Sequence, residues 1–316
     1  MQKVHLDTDL GGDLDDLCAL AMLLRWQPAI EITGITVVGD THGQRTGMVR
    51  QTLEIAGRRD IPVAAGADTS QGFYPYELGL PPAERYWPRP LIPAPNPPER
   101  AVALLKHSID AGATIIGIGP LTNFYLLEQA YPGTLARAQL FLMGGYLYPP
   151  RAGLPQWNYR DDFNVQVDVR SAHHVLMHCH RPTLITLAST AETALRHSHL
   201  EPLWRKGGAL GQLIVRQAEH VAVDEQIAEK YCATCEELPA DIINFQHDAL
   251  ACAVALGWRE GIEIEEFSLH SAIEDNWLTM RVDPTGSLFG VITKVDGPRF
   301  SDFWLQTMIR NNQANT

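Results

Sequence analysis

Strand-like apolar runs alternate with helical patterns along most of this chain, and that alternation narrows the fold more than any other feature. VHLDTDL (4–10) reads as a strand, 15–27 as a helix, EITGITVV (31–38) as a strand, 43–58 as a helix and IPVAAG (61–66) as a strand. After a long irregular stretch, 67–98, come a helix at 99–111, the strand ATIIGIG (113–119), a helix from about 121 and the strand AQLFLMGG (138–145). A second irregular stretch, 146–163, precedes a helix (168–178), a strand (182–188), a long helix (209–231) and a helix from about 248. Strand-like segments at 262–270 and 288–295 and a helix near 298–311 complete the pattern. Such alternation predicts an α/β fold, a Rossmann-like open, mainly parallel sheet with helices on both faces. Ligands in such sheets sit at the carboxyl ends of the strands. The proline-rich stretch 67–98 is too long for a plain connector and is expected to cover a site.

The 316 residues suffice for one large domain, and 1–316 is read as a single one. The net charge of −12 gives no basic face for nucleic acid, so no nucleic-acid partner is expected. No apolar run approaches the roughly 18 residues of a membrane span, and no membrane partner is expected. The start, MQKVHLDTD, shows no apolar leader core, so the expected location is cytoplasmic. Five cysteines, at 18, 179, 232, 235 and 252, form no secreted disulfide pattern and fit reduced thiols.

One stretch carries more charge than a strand-to-helix junction needs. DTDLGGDLDDLCAL (7–20) places Asp7, Asp9, Asp13, Asp15 and Asp16 within ten positions. Asp7 and Asp9 share a strand face, and Asp15 and Asp16 fall in the first turn of the next helix. Helix capping accounts for two of the five; a divalent cation accounts for the rest. An all-oxygen set selects Ca²⁺ or Mg²⁺ over Zn²⁺. The order of residues fits neither an EF-hand loop nor a Walker A loop, which needs a lysine; none lies between 4 and 105. Three weaker constellations follow: IGIGPLTN (116–123), LMGG (142–145) with DDFNVQVD (161–168), and FQHDALACAVALG (245–257). For His247–Asp248 alone, a helix N-cap is the simpler explanation.

Taken together and in order, these motifs resemble the nucleoside hydrolases, the inosine–uridine-preferring N-ribohydrolases. That family carries DTDPGxDDxxA, GPLTN, MGG, EFNxxxD and HDPLA in this sequence, and the resemblance spans residues 7 to about 251. It implies hydrolysis of the N-glycosidic bond of ribonucleosides to base and ribose, on water activated by Ca²⁺. It implies that Asp9 binds the metal and acts as general base. Asp16, the main-chain carbonyl of Thr122 and Asp248 complete the metal ligands. Asp15 holds a ribose hydroxyl, Asn164 the ribose diol, and Asp162 and Asn158 the 5′-hydroxyl. His247 lies near the base and helps protonate the leaving group. A homodimer or homotetramer is the implied assembly. The residue types suit the chemistry, since carboxylates stabilise the oxocarbenium-like transition state.

The chain departs from the family pattern in several places. DTDLGGDLDD has two extra residues, and Asp13 has no counterpart. VVGD (37–40) puts Asp40 beside the diol where the family has asparagine; Asp162 replaces a glutamate and Ala249 a proline. For the nucleobase, Trp87 and Trp277 are the candidate stacking residues, with Tyr74, Tyr76, Trp157 and Tyr159 also in loop-like stretches. CATC (232–235) and HHVLMHCH (173–180) read as structural rather than metal-binding. Two rivals stand beside the main reading: a hydrolase for a modified ribonucleoside, and a nucleoside- or ribose-binding protein without catalysis. A DxD-type phosphatase, which would want a phosphate-holding Thr or Ser and a Lys downstream, is a distant third.

Overall fold

A computed structural model describes residues 1–71 and 80–310. Its strands are β1 (Lys3–Thr8), β2 (Glu31–Val37), β3 (Val63–Ala65), β4 (Thr114–Gly117), β5 (Gln139–Met143), β6 (Thr183–Ile185), β7 (Ala194–Arg196), β8 (Ile242–Phe245), β9 (Ile262–Glu274), β10 (Trp277–Val282) and β11 (Ser287–Val295). Nine of them form one sheet in the order β10-β9-β11-β6-β5-β4-β1-β2-β3. From β3 through β6 to β11 every pairing is parallel; β9 and β10 extend the sheet antiparallel. β1 lies between β2 and β4, so its carboxyl end opens at the middle of the parallel block.

Period-two alternation explains why both faces are covered. On β5, Phe141 and Met143 enter one core while Leu140 and Leu142 enter another. The first core gathers the helices Asp15–Arg25, Gly208–Glu225, His247–Ala255 and Gly297–Ile309; the second gathers Glu99–Asp110, Thr122–Ala130 and Val169–His178. Strands buried on both sides read as continuous apolar runs, as parallel sheets require.

β1 departs from that rule at His5 and Asp7. His5 is buried between the Ser108 and Thr36 hydroxyls, at 2.8 and 2.9 Å, and burial pushes its pKa down to about 3. Asp7 Oδ2 accepts from Thr36 Oγ1 at 2.5 Å and Asn123 Nδ2 at 2.8 Å. Asp7 is thus engaged under the sheet, away from the cavity described below.

The remaining differences from the sequence reading have local causes. The helix expected over 209–231 is two, Gly208–Glu225 and Ile227–Tyr231, because Gln226 adopts φ 51°, ψ 44°. His197–Lys206, to which the sequence pattern assigns no element, is a helix that carries Pro202 inside it. β7 and β8 pair antiparallel outside the main sheet and are too short to show a period. β9 runs on to Glu274 and turns into β10 through Asp275 and Asn276, both at positive φ, the chemistry of a tight hairpin.

Candidate active site

At the carboxyl end of β1 the chain crosses into a cavity of about 380 Å³. Asp9, Asp13, Asp15, Asp16, Arg45, Asp161, Asp162, Asn164, His247 and Asp248 are among its lining residues. Asp15 and Asp16 open the helix Asp15–Arg25, and Asp248 lies in the first turn of His247–Ala255. Two helix N-termini, with their unpaired N–H groups, therefore converge here. The Asp248 N–H donates to Asp15 Oδ2 at 3.3 Å, and the Asp16 N–H to Asp15 Oδ1 at 3.1 Å. The Thr8 hydroxyl donates to Asp16 and accepts from the Leu10 N–H at 3.1 Å.

One ligand oxygen from each of Asp15, Asp16 and Asp248 lies within 4.8 Å of the others. Among the described residues no other grouping of three or more acids, histidines or cysteines comes as close. All three are buried, at 3–4% exposure. Burial, then mutual repulsion, pushes their carboxyls well above the usual range. Asp9 is also raised by burial, opposed by the Arg45 guanidinium. Crowded acids in a low-dielectric pocket are costly without a counter-charge. Oxygen-only donors at this spacing suit a hard divalent cation, so the residues present fit a metal.

Arg45 is a component that the sequence reading missed. It is 1% exposed, opens the helix Gln44–Ile55, and directs its guanidinium back toward Asp9. Nε donates to the Gly39 carbonyl at 3.0 Å and Nη1 to the Asp9 carbonyl. Asp40 sets up this insertion. Its Oδ1 accepts the Arg45 N–H at 2.7 Å, and its Oδ2 accepts the Thr46 N–H at 3.0 Å and the Thr46 hydroxyl at 2.5 Å. Asp40 thus serves the helix start and does not line the cavity.

The wall at 161–164 is built differently. Asp162 caps the short helix Phe163–Gln166; its Oδ2 accepts the Gly145 N–H at 2.6 Å and its Oδ1 the Val165 N–H at 3.4 Å. Burial lifts its carboxyl to about 6 against those two donors. Asn164 Nδ2 donates to the carbonyls of Ile118, at 2.9 Å, and Met143, at 3.2 Å, which aims the side chain from the ends of β4 and β5. His247 sits on a third side. Its Nδ1 shares a hydrogen with Thr190 Oγ1 at 2.6 Å, its ring stacks on Phe245, and burial pulls its pKa down to about 4.

The other expected residues lie outside this cavity. Thr122 opens the helix after β4, and its hydroxyl donates to Asp168 Oδ2 at 2.7 Å. Asn158 is exposed, and its Oδ1 accepts the Arg160 N–H at 2.9 Å in its own turn. Trp87 is buried in the first core. The Trp277 ring, at the start of β10, lies 5.3 Å from the Arg160 guanidinium. Tyr74 and Tyr76 lie outside the described residues. Trp157, half-buried, packs 4.9 Å from Phe245 and 5.8 Å from His247 (ring centroids), and Tyr231 joins the same aromatic group.

The family model for the inosine-uridine preferring nucleoside hydrolases matches residues 4–302. The chain belongs to this family. Among relatives of this chain, the pyrimidine-specific ribonucleoside hydrolase RihA of Klebsiella pneumoniae is 29% identical over 187 residues, 54% of this chain and 56% of that protein. RihA of Salmonella paratyphi A is 31% identical over 192 residues, 54% of this chain and 56% of its own length. The match spans little more than half the length of these relatives. Solved structures align over nearly the whole chain. The purine-preferring ribonucleoside hydrolase from Gardnerella vaginalis has a TM-score of 0.76 at 19% identity, covering 97% of this chain and 98% of that one. The plant nucleoside hydrolase PpNRh1 has a TM-score of 0.75 at 17% identity, covering 98% and 99%. At such identities the likeness shows the nucleoside hydrolase fold. Among the described residues, no helix is long and apolar enough to cross a membrane.

Proposed function

We propose that this nucleoside hydrolase cleaves the N-glycosidic bond of ribonucleosides to free base and ribose, with Ca²⁺ held by its buried acids. The observation that carries the proposal is the convergence of Asp15, Asp16 and Asp248 within 4.8 Å at the carboxyl end of β1, with Asp9 and Asn164 lining the same cavity. Asp9, Asp16 and Asp248 are the side chains that hold the metal, and the Thr122 carbonyl is a further candidate ligand. When bound, a hard divalent cation lowers the pKa of water and orients a vicinal diol.

The chain's own residues supply the rest. Asp9 accepts the proton of the attacking water, a role worth roughly 10²–10⁴-fold. Asp15 and Asn164 hold ribose hydroxyls, and Asp162 is the candidate contact for the 5′ end through lone pairs left beside its two backbone bonds. Arg45 holds the Asp9 main chain in place. As positive charge grows on the sugar, the surrounding carboxylates stabilise it. His247 is neutral near pH 7, so it meets the leaving base through a hydrogen bond rather than as an imidazolium.

The test is base release from a panel of ribonucleosides, followed by chromatography with and without a calcium chelator. Chelator-sensitive release of a free base from any member is the expected result. Binding without release, with calcium present, would instead favour a binding protein that has lost catalysis.

A further inference from the structure

Behind the acidic turn lies a second cavity of about 450 Å³. It shares Gly12 and Asp13 with the catalytic cavity and none of the 161–164 wall. The shared residues belong to the turn that is two residues longer than the family form. Gly11 makes the turn possible at φ 116°; a Cβ there would meet Met48 Sδ at 2.2 Å. Asn244 Nδ2 donates to Asp13 Oδ1 at 2.5 Å and ties the turn to β8. The lengthened turn is therefore a partition between two spaces, with Asp13 on the edge of both.

Trp87 supplies an aromatic wall to this annex, and Gln217, from the helix Gly208–Glu225, faces the same space. Gln217 is 5% exposed, and its Nε2 has no hydrogen-bond partner. A buried amide is seldom left this way, because the unmade hydrogen bond is not repaid elsewhere in the fold. An apolar residue of the same size would pack there at lower cost. Its Nε2 is an unused donor matched to a carbonyl oxygen, while Asp13 and Glu225 in the same lining can accept from an amide N–H.

The position of the annex says which part of a substrate reaches it. Resting on the ribonucleoside reading above, the ribose hydroxyls go to the acids and Asn164, and the 5′ end to Asp162. The leaving base lies toward His247, three residues beyond Asn244 on the segment that borders the annex. We infer that the annex is a subsite for a substituent on the leaving base that ends in a carboxamide or an equivalent donor–acceptor group. The preferred substrate is then a base-modified ribonucleoside.

Matched pairs test this without knowledge of the preferred base: uridine against 5-carbamoylmethyluridine, and adenosine against N6-carbamoylmethyladenosine. Both kcat/KM for base release and calorimetric Kd in the presence of calcium are measured, in the native protein and in Gln217→Leu. In at least one pair the amide-bearing member is expected to be favoured by about tenfold, the worth of one or two good hydrogen bonds. In Gln217→Leu that preference collapses while the plain nucleoside is unaffected. Equal or poorer handling of the amide-bearing member in both pairs by the native protein overturns the inference, as does a preference that survives in Gln217→Leu. Cleavage of the plain nucleosides with no such preference rejects the annex and leaves the hydrolase reading standing. A Kd preference lost in Gln217→Leu, with no base released from any member, supports the annex and rejects the hydrolase.

Discussion

On one wall of the cavity, Asp162 gives each carboxylate oxygen a backbone N–H, from Gly145 and Val165. On another, Asp248 has no donor to its carboxylate among the described residues, and it crowds against Asp15 and Asp16. Both walls are buried, and in both the acids lie at helix N-termini. The first spends its acid on holding the backbone in shape. The second keeps three acids close and desolvated, leaves Asp248 without a donor, and has Arg45 as the neighbouring positive charge. That difference separates a carboxylate that builds the fold from carboxylates that await a charge, and residue type alone does not reveal it.

The largest break in this contrast comes from the acid wall. Asp9→Asn is expected to lower kcat by about 10³-fold, near the middle of the range for a lost general base, with the fold retained by circular dichroism. Asp248→Asn is expected to remove turnover as well. The satisfied interior shows its character through pH. His5 stays neutral when folded, while in the unfolded chain it gains a proton below about 6.5. Its contribution is therefore fully present above pH 6.5 and is lost as the pH falls toward 3. The stability gap between the native protein and His5→Asn should shrink by about 4 kcal/mol over that range in denaturant titrations. A constant gap would mean that His5 is protonated in the fold.

Smaller effects sharpen the comparison from each side. Asp162→Ala leaves the Gly145 and Val165 N–H groups without their acceptor, and a loss of about 2 kcal/mol is expected from chemical denaturation. Asp248→Asn has the opposite sign in calcium-free protein. It removes repulsion and no protein hydrogen bond to the side chain, so a gain of roughly 1 kcal/mol is expected. If both substitutions destabilise equally, the two walls do not differ in the way described.

Much of this was legible in the sequence because strand period and strand-end placement are local signals. The acids at 9, 15 and 16 and the His247–Asp248 pair reach the cavity because each follows a strand end, while Asp162 and Asn164 reach it from the short helix that closes the loop after β5. What escaped depends on pairings distant in sequence. Arg45 reads as an ordinary helical arginine until Asp40 is seen to cap its helix and turn it inward. Asp40 itself looks like an added charge beside the sugar, yet both of its oxygens are taken. Trp87 sits in a loop-like, proline-rich stretch but is core. Asn158 reads as a ligand and is instead a turn residue. Asp13, without a family counterpart, meets Asn244 from across the fold.

The most direct test of the central claim is the melting temperature of chelator-treated protein as Ca²⁺ is titrated back, alongside base release in the same samples. A cation held by the folded acids stabilises by about 2.7 kcal/mol at a hundredfold excess over Kd. A saturable rise in melting temperature and recovery of base release over the same concentrations are expected, with neither change in Asp248→Asn. A melting temperature indifferent to Ca²⁺, with base release unaffected by chelation, would contradict the central claim.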